Sequence, residues 1–63
     1  MPIVQINIME ERNDEKKERM IAEVTDAICR SLEVKPETVR VMINEMPKIH
    51  FGIGGVSAKK LGR

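Results

Sequence analysis

The sequence predicts an α/β (α+β) chain made of one β-α-β unit with parallel strands and a short C-terminal hairpin. Three stretches predict it: a period-2 apolar alternation over residues 2–9, a helical apolar stripe from 14 to about 32, and a second alternation over residues 39–46. In the first stretch Val4, Ile6 and Ile8 share one face while Ile3, Gln5, Asn7 and Met9 share the other, the pattern of a strand whose second face is only partly polar. Asn13 then offers a side-chain acceptor to the free N–H groups of a helix start. Asp14 and Glu15 set carboxylates against the positive end of the helix dipole. Met20, Ile21, Val24, Ala27, Ile28 and Leu32 recur at i, i+3 and i+4, so this stripe is expected to face a sheet, with Lys16, Lys17, Arg19, Glu23 and Asp26 largely off it. Pro36 disfavours helical geometry at Lys35, which ends the helix near residues 32–34 and leaves residues 34–38 as the connection.

In the second alternation Val39, Val41 and Ile43 take one face and Arg40, Met42, Asn44 and Met46 the other. A helix of the expected length spans about 28 Å, enough to run back along strands of about eight residues and return the chain in the same direction. Such a crossover pairs its strands in parallel. Past Pro47, the segment His50-Phe51-Gly52-Ile53-Gly54-Gly55-Val56 reads as a Gly-rich turn between short extended pieces, followed by a polar tail. No repeat, low-complexity stretch or linker divides the chain, so residues 1–63 are expected to form a single domain.

Composition says what such a unit needs. A chain of 63 residues is expected to bury roughly 60% of its unfolded surface. That burial contributes on the order of 90 kcal/mol, against an ordering cost of about 95 kcal/mol. Small chains close that gap with disulfides, a structural metal or oligomerisation. One Cys and one His exclude the first two within a single chain, which leaves oligomerisation. A two-stranded sheet with one helix also leaves a sheet face for another subunit to cover. Eleven Lys plus Arg against ten Asp plus Glu give a formal charge of +1, which argues against a nucleic-acid partner. No apolar run approaches the roughly 20 residues of a membrane span and no signal-like segment opens the chain, so a cytoplasmic location is expected. Cys29 fits a reducing compartment and reads as a small hydrophobe beside the helix stripe.

Few residues carry chemistry. Gly52, Gly54 and Gly55 do not open a helix long enough to bind phosphate and read as a turn. His50 is the sole imidazole, without a Ser or Cys arrangement that would make it part of a catalytic set. Pro2 has two readings. It is a strand entry whose missing N–H matters little, or, once Met1 is removed, a secondary amine whose ordinary pKa near ~8 falls on burial or beside cations to yield a base near neutrality. Arg40 is expected mid-strand, flanked by Val39, Val41 and Met42, where an unpaired guanidinium is costly to bury, so it calls for an anion, either a neighbouring subunit's carboxylate or a bound carboxylate held bidentately. Arg12, between the first strand and the helix cap, can also reach an anion, with Glu10 and Glu11 as local ion-pair alternatives.

Met-Pro-Ile at the start, Asp14-Glu15-x-Lys17, Val39-Arg40-Val41, Glu45-Met46 and the string from His50 to Gly55 together make the chain resemble the 4-oxalocrotonate tautomerase family, of the tautomerase superfamily that uses an amino-terminal proline. The resemblance spans nearly all 63 residues. It implies a homohexamer built as a trimer of dimers, each dimer holding a four-stranded sheet. It implies that Pro2 takes the 2-hydroxyl proton of a 2-hydroxydienoate such as 2-hydroxymuconate and returns it to C5, giving 2-oxo-3-hexenedioate. Arg40 from a neighbouring chain would hold the 1-carboxylate and 2-oxygen, Arg12 from another chain the distal carboxylate, and Phe51 would form an apolar wall. No metal or organic cofactor is implied. Met9 stands where a Leu usually lines the pocket, Asn7 where a His lies on the strand, Glu11 where a Gly often precedes Arg12, and Gly62-Arg63 where an Arg pair ends the chain. The alternatives are a superfamily paralogue with another substrate or activity, a non-catalytic hexameric scaffold, and a ribbon-helix-helix DNA-binding module, which Pro47 and the late glycines oppose by denying it a second long helix.

Overall fold

Two seven-residue strands, β1 (Ile3–Met9) and β2 (Arg40–Met46), run side by side in parallel, joined by the 19-residue helix α1 (Asp14–Leu32). The computed structural model describes residues 1–10 and 13–63. A 3₁₀ turn, Pro36–Thr38, precedes β2 and a second, Lys48–His50, follows it. The hairpin of β3 (Gly52–Ile53) and β4 (Val56–Ser57) comes next, then a single helical turn, α2 (Ala58–Leu61). The expected β-α-β unit and hairpin are both present. The expected polar tail is instead partly helical, because the Ser57 Oγ accepts the Lys60 N–H at 3.1 Å and caps a turn of helix formers that Gly62 ends at φ 75°.

The helix start is built as its residues require: the Asn13 side chain accepts the Lys16 N–H at 3.1 Å, with Asp14 and Glu15 in the first turn. At the other end Glu33 takes the left-handed conformation, φ 56° and ψ 50°, a C-terminal stop usually given to Gly. Lys35 is extended ahead of Pro36, as the proline ring demands.

In-register pairs such as Val4↔Val41 and Ile6↔Ile43 put one apolar sheet face under α1. The helix residues that meet it are Met20, Val24 and Ile28, with Lys17, Thr25 and Cys29 half-buried beside them. Ile21, Ala27 and Leu32, expected on the same stripe, are exposed: the covering seam is narrower than the apolar arc. One ion pair crosses from helix to sheet. Lys17 Nζ donates to Glu45 Oε1 at 2.8 Å and lies 3.3 Å from Asp14 Oδ1. The Glu45 carboxylate raises the Lys17 ammonium above the ordinary lysine value, ahead of a smaller opposing effect of desolvation.

The opposite face carries Ile3, Gln5, Asn7 and Met9 on β1 and Arg40, Met42, Asn44 and Met46 on β2; among the described residues most of it is uncovered, with Ile3 64% and Met42 49% exposed, and only Met9 and Met46 are half-buried. Among the described residues only Val39 and Ala58 are buried. The chain exposes 5108 Å², against about 4,100 Å² for a compact chain of this mass. Its radius of gyration is 14.8 Å where about 11 Å is usual, and it is 13 Å through its thinnest direction. It is a single slab whose second face is bare.

Two predictions follow from this geometry. Glu33→Gly relieves the left-handed backbone and stabilises the fold by about 0.5–1 kcal/mol, read as a higher urea midpoint. Lys17 Nζ titrates above 10.5 by NMR, and Glu45→Gln lowers its midpoint; the stability that the pair contributes is complete below 10.5 and is lost as pH rises through the raised value.

Candidate active site

The sequence-predicted site residues fall at two ends of the sheet. At one end Pro2 leads into β1 and its carbonyl accepts the Arg40 N–H at 3.0 Å, so Arg40 enters β2 beside it. Arg40 is the first residue of its strand and is exposed, not mid-strand and enclosed as its apolar neighbours suggested. The 3₁₀ turn before it is tied down by Thr38, whose N–H and Oγ1 both donate to the Lys35 carbonyl at 3.0 and 2.8 Å, and by the Val39 N–H on the Pro36 carbonyl at 3.1 Å. Arg40 Nη1 donates to the Glu37 carbonyl at 2.6 Å. No carboxylate pairs with it among the described residues, so a fixed cation stands at this end with donors to spare.

At the other end Met9, Asn7, Ile8, Met46 and Phe51 line a shallow, largely apolar cavity of about 150 Å³. Phe51 is held by its backbone from both sides, its N–H on the Lys48 carbonyl at 3.3 Å and its carbonyl taking the Ala58 N–H at 2.7 Å. The fully buried Ala58 therefore seats the C-terminal turn against the aromatic residue. Gly54 and Gly55, at φ 60° and 87°, supply the two left-handed residues of a tight hairpin and cradle nothing. His50 is exposed, and its backbone N–H donates to the Pro47 carbonyl at 2.9 Å.

These ends are far apart. From Pro2 to Met9 the strand covers about 23 Å, so Pro2 and Arg40 cannot share one substrate with Met9 and Phe51 of the same chain. Arg12 and Glu11 lie outside the described residues. With Met1 in place and 79% exposed, the Pro2 nitrogen is an amide, and it becomes basic only when Met1 is removed. Among the described residues no group of three or more His, Cys, Asp or Glu side chains could hold a metal ion.

Sequence reasoning missed three features. The Lys17–Glu45 pair joins residues 28 positions apart, and no local pattern reveals it. The Asn44 Nδ2 donates to Asn7 Oδ1 at 3.2 Å across the strands, which needs the register to be known. The α2 turn was legible: Ser57 stands three residues before Lys60, ahead of Ala, Lys and Leu.

Known proteins share this arrangement. The profile of the family described as Tautomerase enzyme matches residues 2–61. A 2-hydroxymuconate tautomerase from Stutzerimonas stutzeri is 62% identical over 63 residues, all of both chains. Among solved structures, one from a study of the 4-oxalocrotonate tautomerase isozymes of Methylibium petroleiphilum superposes with a TM-score of 0.91 at 39% identity, covering 97% of this chain and 95% of that one. A heterohexamer 4-oxalocrotonate tautomerase from Chloroflexus aurantiacus superposes at 0.89 with 30% identity, covering 97% and 98%. Matched over essentially its whole length in sequence and in fold, the chain belongs to the tautomerase family of enzymes.

Proposed function

We propose that this tautomerase interconverts the enol and keto forms of 2-hydroxydienoates, 2-hydroxymuconate to 2-oxo-3-hexenedioate, as a homohexamer whose sites are shared between chains. The observation that carries the reading is the 62% identity, end to end, to a 2-hydroxymuconate tautomerase in a chain that opens Met-Pro and leaves the Arg40 guanidinium without a carboxylate partner among the described residues.

The Pro2 amine, freed of Met1, takes the proton from the 2-hydroxyl as the C2–O bond becomes a carbonyl. The double bonds move to C3=C4 and the same proton is delivered to C5, so no redox partner, metal or organic cofactor is needed. Negative charge gathers at the 2-oxygen and 1-carboxylate, where a fixed guanidinium stabilises it; this is the role of Arg40. Its guanidinium turns back to Glu37 rather than along its own sheet, which supports its serving an adjoining copy. Arg12 holds the distal carboxylate, and Phe51 and Met9 from another chain form the apolar wall that keeps water from the amine. The separation of the two ends and the bare sheet face both support a site completed by oligomerisation, with two β-α-β units forming a four-stranded sheet and three such dimers the assembly. The sole thiol, Cys29, supports a cytoplasmic location, and among the described residues no helix is long and apolar enough to cross a membrane.

Intact mass and ultraviolet-monitored ketonisation of 2-hydroxymuconate on one sample test the reading: loss of one Met accompanied by rapid conversion is expected, and loss of Met without conversion overturns the substrate assignment. An N-terminal extension that keeps Pro2 an amide lowers kcat by about 10²–10⁴ while circular dichroism is unchanged. Arg40→Gln lowers kcat by about 10²–10³, since a donor to the developing oxyanion is lost.

A further inference from the structure

We infer that the Asn7–Asn44 amide pair on the uncovered sheet face is a self-recognition element that admits further copies of this chain and rejects apolar-faced relatives; the inference rests on the homo-oligomer proposed above. Asn7 and Asn44 are register partners on neighbouring strands, and Asn44 Nδ2 donates to Asn7 Oδ1 at 3.2 Å. That bond uses the Asn7 carbonyl and one Asn44 N–H, and leaves both Asn7 N–H groups, the second Asn44 N–H and the Asn44 carbonyl oxygen without a partner among the described residues. Around them lie Ile3, Met9, Met42 and Met46, with Gln5 beside them; the cation of this face, Arg40, stands at its far end with its guanidinium on the Glu37 carbonyl.

The occupant follows from area and from chemistry. The chain exposes about 1,000 Å² more than a compact chain of its mass, close to the roughly 800 Å² that each partner contributes to a standard interface. Covering this face with a purely apolar partner would strand the amide groups in a dry interface, which is costly. A second copy brings the complement, because the pair has spare donors on its β1 side and a spare acceptor on its β2 side. Asn7 N–H groups of one chain meet Asn44 Oδ1 of the next, and this works equally about a two-fold axis or head to tail around a ring. The same groups that are satisfied by a like face penalise an unlike one, as a single polar residue does in an otherwise apolar coiled-coil seam.

The test is subunit sorting. The chain is co-expressed with a copy carrying Asn7→Leu and Asn44→Leu and a C-terminal mass tag, and the oligomers are counted by native mass spectrometry. A pair of wild-type copies, one tagged, sets the binomial reference. Mixed oligomers about tenfold below that reference are expected, with each single variant assembling more weakly than the double. Binomial mixing beside intact wild-type oligomers overturns this inference alone, whereas a wild-type chain that stays monomeric overturns the assembly and this inference together. Asn7→Ala with Asn44→Ala, run in parallel, repeats the test with smaller side chains should the leucine pair not fold.

Discussion

Two parallel strands joined by one helix give a sheet with a single covered face, and the rest of the molecule depends on that shortfall. Parallel pairing needs a crossover, and a chain this short affords only one, so α1 shields Val4, Ile6, Val41 and Ile43 while no described helix or strand lies over the other side. The near absence of buried residues is the direct result. Stability therefore has to be sought outside the chain. The same shortfall turns the bare face from a liability into the part of the molecule most exposed to selection for what it binds.

Against this thin interior, local hydrogen bonds position the residues of the proposed site. The Pro36–Thr38 turn sets Arg40 at the mouth of β2 through bonds to Lys35 and Pro36 carbonyls. The C-terminal turn does the same for Phe51 by gripping its carbonyl, with Ala58 as the small residue that lets the two segments close. The Lys17–Glu45 pair fastens the start of α1 to the end of β2. Each device is a short-range hydrogen-bond or charge contact, which suits a chain with little apolar volume to spend on rigidity.

Much of this was legible in the residues. The alternations that place Val4, Ile6 and Ile8 opposite Asn7 and Met9 survive intact in the sheet, because side-chain direction in a strand is fixed by period alone. Asn13 and Pro36 bounded the helix because capping and pre-proline geometry are local effects. What pattern could not reveal was contact: Ile21 and Leu32 have the spacing of core residues, yet one flat sheet under a helix covers only a narrow seam. Arg40 looked enclosed by Val39 and Val41, but neighbours in a strand point to the other face and say nothing about whether its own is covered. Pro2, Arg40, Met9 and Phe51 were expected from the resemblance to meet in a site shared between chains; that Pro2 and Arg40 lie at the opposite end of one chain from Met9 and Phe51 emerges only from the register.

The distance between those ends has a genetic meaning. Under the proposed assembly each site draws its base from one gene product and its apolar wall from another, so a lesion near Pro2 and a lesion near Phe51 damage different halves of the same site. Two alleles, each silent alone, then give mixed particles in which a fraction of sites inherits a sound half from each parent. Conversely, one damaged allele spoils sites that a healthy allele helped to build. Under that assembly, dominance and complementation would both follow from a strand seven residues long.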